Sequence, residues 1–109
     1  MARILIPVAG EHIAPRFDVC TEAWIGRVDE LGKIVQERML VLAHASAEDM
    51  CQLAMNEHVD VVICNGIEGQ YFDYLQWKKI QVIDSVIGTV ERVLESLARK
   101  DLTNGVILT

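Results

Sequence analysis

A chain of 109 residues has room for one core and is expected to form a single domain over 1–109. Apolar residues make up 51% of it, enough to fill that core, and the formal charge of −6 argues against a nucleic-acid backbone as partner. No apolar run approaches the ~20 residues of a membrane span, and the short start from Arg3 to Val8 lacks the length of a signal peptide, which gives a cytoplasmic expectation.

Taken in chain order, Ile4 to Val8 predicts a strand buried on both faces, ended or bulged by Pro7. Ala9 to Cys20, with Gly10 and Pro15, reads as a loop. Strands are expected from about Thr21 to Asp29 and from about Lys33 to Leu42, joined by the turn Glu30-Leu31-Gly32. Ser46 with Asp49 three residues later is a capping signal. Ala47, Met50, Cys51 and Ala54 then form one apolar helix face, placing Cys51 in the core. A second doubly buried strand, Asp60 to Cys64, precedes a helix over Glu68 to Lys78 that turns Phe72 and Leu75 inward. A short strand, Ile80 to Ile83, leads to a last helix capped by Thr89, with Val90, Val93, Leu94 and Leu97 inward. The apolar tail Val106-Ile107-Leu108 is expected to pair with a sheet edge or to join a self-association contact.

The order βββαβαβα predicts an α/β fold. Helical crossovers make the later strands parallel to the first and place helices on both faces. The expectation is a three-layer ribonuclease-H-like domain whose five-stranded mixed sheet runs 3-2-1-4-5, with strand 2 antiparallel. A flavodoxin-like fold fits the early meander less well.

This topology gathers loops at one edge. The segments after strands 1, 3, 4 and 5 emerge together, and ligands of open α/β sheets bind beyond the strands' carboxyl ends where the winding reverses. That edge collects His12, Arg16, Asp18, Cys20, His44, Cys64, Asn65 and Asp84. Imidazole and thiolate suit transition metals and iron–sulfur-type clusters. His12 also reads as a solvated loop residue and Cys64 as a packing residue; His58, which is not on this edge, reads as a structural cation near a helix end. Trp24, Trp77, Tyr71 and Tyr74 read as packing. Three cysteines without a CxxC spacing argue against a disulfide framework and a self-contained zinc site. Strand 1 carries no carboxylate for a two-metal nuclease, and Gly10-Glu11-His12-Ile13 is a poor phosphate loop. No nucleophile–base pair is evident from spacing, so an enzyme is not expected.

Three motifs carry a family resemblance. Ile6-Pro7-Val8-Ala9 followed by Ile13-Ala14-Pro15-Arg16-Phe17-Asp18 resembles the opening signature of the dinitrogenase iron-molybdenum cofactor biosynthesis family. Val62-Ile63-Cys64-Asn65-Gly66-Ile67 is similar to its second motif, and Gly88-Thr89-Val90 to its third. The chain departs from the family pattern at Ala45 after His44, and at Asn65 and Glu68, where the family prefers glycine. The resemblance implies the ribonuclease-H-like layout. It also implies non-enzymatic carriage of an iron–molybdenum cofactor precursor or another metal–sulfur cluster, such as the molybdenum–copper sulfide of the related orange protein.

The leading expectation is therefore a small carrier of such a cluster. His44 and Cys64 are its candidate metal ligands, and His12, Arg16 and Asn65 its other contacts; Arg16 is the cation for an anionic cluster. Cluster donor and acceptor proteins are the implied partners, with no nucleic acid and no membrane. A metal-free interaction or regulatory module on the same fold is the alternative, and a nucleotide or small-anion binder stands third.

Overall fold

The computed structural model describes residues 2–108; Met1 and Thr109 lie outside the described residues. The elements are β1 (Ala2–Ala9), β2 (His12–Ile13), a single 3-10 turn (Phe17–Val19), β3 (Glu22–Val28), β4 (Ile34–Val41), α1 (Ala47–Asn56), β5 (Val61–Ile63), α2 (Gly69–Trp77), β6 (Gln81–Ile83) and α3 (Val90–Ala98). The chain is α/β, with helices packed on a mixed open sheet.

The longer strands lie in the order β4-β3-β1-β5-β6. β3 is antiparallel to both β1 and β4, whereas β5 and β6 run parallel to β1. The expected count of five strands is corrected to six, because β2 pairs antiparallel with β1 off this path. A two-residue strand is too short to leave a periodic signal. Its turn, Gly10-Glu11, starts with a glycine at φ 65°, a backbone angle that side chains disfavour.

Pro7 does not end or bulge the first strand. β1 continues to Ala9, with Pro7 in register opposite Ala23. Its carbonyl accepts from the Ala14 amide at 2.9 Å, so the side of Pro7 that lacks a donor faces away from β3 and costs that ladder nothing.

Period-two alternation divides the core between the two faces of the sheet. Leu5, Ala23, Ile25, Val62 and Val82 pack beneath α1 and α2, against Met50, Cys51, Ala54 and Leu75. Ile4, Ile6, Val8, Trp24, Ile63 and Ile83 pack on the other face with Val93 of α3. The helix starts follow the sequence signals: Ser46 Oγ accepts from the Asp49 amide at 3.2 Å, and Thr89 Oγ1 from the Arg92 amide at 3.1 Å. Leu75 is buried as expected, whereas Phe72 is only half-buried.

Each helix stops in the same way. The His58, Lys79 and Lys100 amides bond back to Met55, Gln76 and Leu97, and the following amides reach Ala54, Leu75 and Ser96. These are Schellman closures, and the residue at the left-handed position is never glycine: φ is 55° at His58, 65° at Lys79 and 61° at Lys100. The tail does not fray. Ile107 bridges Ile87 in parallel, and Leu108 donates to the Ile87 carbonyl at 2.7 Å.

Candidate functional site at the strand ends

Because β1, β4, β5 and β6 share one direction, the segments that follow them leave the sheet at the same edge. Backbone hydrogen bonds stitch three of these segments together. The Phe17 amide donates to the Gly66 carbonyl at 2.7 Å, and the Gly66 amide to the Pro15 carbonyl at 2.9 Å. The Ser85 amide donates to the Asn65 carbonyl at 2.9 Å, and the Val86 amide to the Cys64 carbonyl at 3.1 Å. The Ile13 amide reaches the Gly88 carbonyl at 3.0 Å. A Cβ on Gly66 would sit 2.9 Å from the Pro15 carbonyl oxygen, so the close approach of these two loops requires glycine there. Phe17, fully buried, anchors the loop from below; burying such a side chain contributes about 1.5–3 kcal/mol.

Arg16 stands on this clasp with its side chain 53% exposed. Its Nε and one terminal nitrogen donate to the two carboxylate oxygens of Asp18 at 3.1 and 3.0 Å, and Glu68 lies 3.7 Å away. The hydrogen bond from Arg16 holds the Asp18 carboxyl below its ordinary range. Glu68, one of the departures from the family glycines, thus faces a cation.

Cys64 is placed differently from expectation. Its side chain has 0% exposure, so the expected opening onto the edge is corrected. Burial pushes its thiol up to about 12, with the Asp84 carboxylate adding to the shift. Cys64 follows the last residue of β5 and packs into the core beneath α1 and α2. Cys20 is also buried, bonding through Sγ to the Val8 and Glu22 carbonyls at 3.3 and 2.9 Å, and burial raises its pKa as well.

The two histidines of the edge are exposed and belong to different parts of it. His12 bridges to Thr89 at the start of α3, where the Val90 amide already donates to the Glu11 carbonyl at 3.0 Å. His44 lies between β4 and α1, beyond Leu42, whose amide donates to the Thr21 carbonyl at 2.7 Å. Arg16 and Asn65 are brought together through the bridge of Arg16 to Gly66. Among the described residues, no three His, Cys, Asp or Glu side chains come close enough to hold a metal ion. His58 sits at the opposite end of its helix from this edge, at the left-handed closure of α1.

The sequence of the family described as dinitrogenase iron-molybdenum cofactor matches residues 1–100. The chain belongs to this family. Solved structures agree on the fold. The protein PH0822 superimposes with a TM-score of 0.85 at 14% identity, covering 94% of this chain and 93% of its own. The mj0327 protein of Methanocaldococcus jannaschii gives 0.77 at 18% identity, covering 94% and 92%. The apo form of the orange protein from Desulfovibrio gigas gives 0.74 at 18% identity, covering 95% and 92%. At these identities the likeness establishes the fold. No curated protein matches the sequence significantly.

Sequence reasoning singled out the motif around Arg16 and the motif around Gly66 separately. It missed that they clasp each other, because pairing between distant loops leaves no local pattern. It also missed Glu48, whose carboxylate accepts from the Tyr71 hydroxyl at 3.0 Å and ties the start of α1 to α2.

Proposed function

We propose that this chain is a non-enzymatic carrier of a metal–sulfur cluster or its precursor, built on a ribonuclease-H-like layout and taking its cargo at the strand-end edge. Membership of the iron-molybdenum cofactor family is the observation that carries this reading. The cargo brings its own sulfides. The chain supplies the Arg16 guanidinium, oriented by Asp18, together with Asn65 and the exposed imidazoles of His12 and His44. Cys64 is left to packing. An open set of this kind suits a carrier, since few bonds to the metal must break on transfer to an acceptor protein. The three unpaired thiols accord with a reducing, cytoplasmic setting.

A second reading, a metal-free interaction module, draws on the engagement of Arg16 by Asp18 and Glu68. Anaerobic purification followed by metal analysis separates the two. The carrier reading expects molybdenum with iron or copper in the wild type. It further expects about 10-fold weaker uptake in His44→Ala, the scale of loss for a metal-site support, and weaker uptake in Arg16→Ala. His58→Ala should be unchanged. Metal-free protein under all these conditions would favour the interaction module.

A further inference from the structure

The opposite edge of the sheet carries a second feature that the carrier reading does not use. Arg3 at the start of β1 lies directly opposite Arg27 on β3, and Arg27 lies opposite Gln36 on β4. Arg38 pairs with Ile25 one step along. Leu5 and Ile25 belong to the core beneath α1, so Arg3, Arg27 and Arg38 share that face by the two-residue period. They line a cavity of about 180 Å³ with Gln36 and Glu57.

Its charges do not balance. Glu57, the residue after α1, forms an ion pair with Arg38, and its carbonyl oxygen lies 3.5 Å from a terminal nitrogen of Arg3. Asp60 accepts from the Arg3 backbone amide at 2.8 Å and does not line the cavity. Three guanidiniums thus face one carboxylate and the carbonyl end of one helix, in a chain whose net charge is −6. Like charges directly opposite on adjacent strands destabilise a sheet. Moreover, Arg27 Nε is buried and, among the described residues, has no hydrogen-bond partner. A buried charged donor left unpaired costs more than an ordinary lost hydrogen bond, so it requires an explanation.

We infer that this cavity binds a compact oxyanion of the phosphate class, free or as a monoester, held by the forks of Arg3 and Arg27 with Gln36 alongside. Planar guanidiniums match tetrahedral oxyanions with paired hydrogen bonds. A dianion would neutralise the excess charge, and the Arg27 fork, turning toward it, would give the closed-off Nε a partner. The site is separate from the strand-end edge, since Arg3 begins the strand whose far end leads to Arg16.

The test is a titration of the intact chain with inorganic phosphate at constant ionic strength, reading the Arg Nε–Hε resonances by NMR and the affinity by calorimetry. A saturable shift of the Arg27 Nε–Hε signal is expected. Arg27→Gln should weaken binding about 10-fold, the loss of one charge-assisted hydrogen bond; Arg38→Gln should weaken it as well, by releasing the Glu57 carboxylate to repel the anion, and Glu57→Gln should tighten it. Arg38 is exposed, so its variant keeps the test open if Arg27→Gln fails to fold. Arg16→Gln should bind as the wild type does. Phenyl phosphate distinguishes the sources: tighter binding than phosphate identifies a phosphomonoester, and equal or weaker binding the free ion. Absence of a saturable shift, or equal weakening by Arg16→Gln, would overturn the site.

Discussion

The Phe17 amide donates to the Gly66 carbonyl at 2.7 Å, and the return bond from Gly66 to Pro15 measures 2.9 Å. Two loops almost fifty positions apart in the chain are thereby clasped at the edge where the strands end. Gly66→Ala places a methyl against the Pro15 oxygen, backbone that cannot turn aside. The expected cost is about 1–3 kcal/mol, the range for overpacking a tight contact, measured by denaturant unfolding. Unchanged stability would mean that the clasp is looser than these distances state.

The helix closures predict a change of the opposite sign. His58 holds φ at 55°, where a Cβ is disfavoured and glycine is not. His58→Gly should stabilise the fold by about 1 kcal/mol, seen as a higher urea midpoint with the same slope. A lower midpoint would show that the histidine side chain contributes more than its backbone strain costs.

Alkaline pH should destabilise the protein through its buried thiols. Burial pushes Cys64 up to about 12 and Cys51 to about 11, against an ordinary 9.0. The unfolded chain loses these protons first, so the folded state binds more protons within that window. The contribution is fully present below pH 9.0 and is lost as pH rises through the folded values. Each such thiol steepens the fall by about 1.4 kcal/mol per pH unit. Cys64→Ala should therefore lose stability less steeply above pH 9.0; an identical slope would contradict the burial of this thiol.

Thiol labelling reads the same burial kinetically. Cys20, Cys51 and Cys64 are all buried, and Cys64 most deeply. Under native conditions a thiol reagent should modify Cys64 last, at a rate that rises with denaturant. Rapid modification of Cys64 alone would restore it to the site.

Much of the fold was legible because local signals and burial agree. The Ser46 and Thr89 caps, the apolar face from Ala47 to Ala54, and the turn at Gly32 each stand where sequence places them. What escaped depends on neighbours distant in the chain. β2 is two residues long and exists because β1 offers it an edge. Pro7 stays within its strand because its donor-free side faces Ala14, just past β2, and not β3. The candidate site was legible as a set of loops, but the depth of Cys64 was not, since closure over a strand end depends on packing. The juxtaposition of Arg3 and Arg27 was likewise invisible, because it rests on strand register.

Carriage of a metal–sulfur cluster at the strand-end edge can be read from anaerobic reconstitution. Apo-protein is mixed with tetrathiomolybdate and iron or copper salts, desalted, and read by visible absorption and metal content per chain. A carrier gives a coloured protein that retains molybdenum with sulfide, and retention falls in His44→Ala and Arg16→Ala but not in His58→Ala. Wild-type protein that leaves the column colourless and metal-free would rule out carriage by this chain.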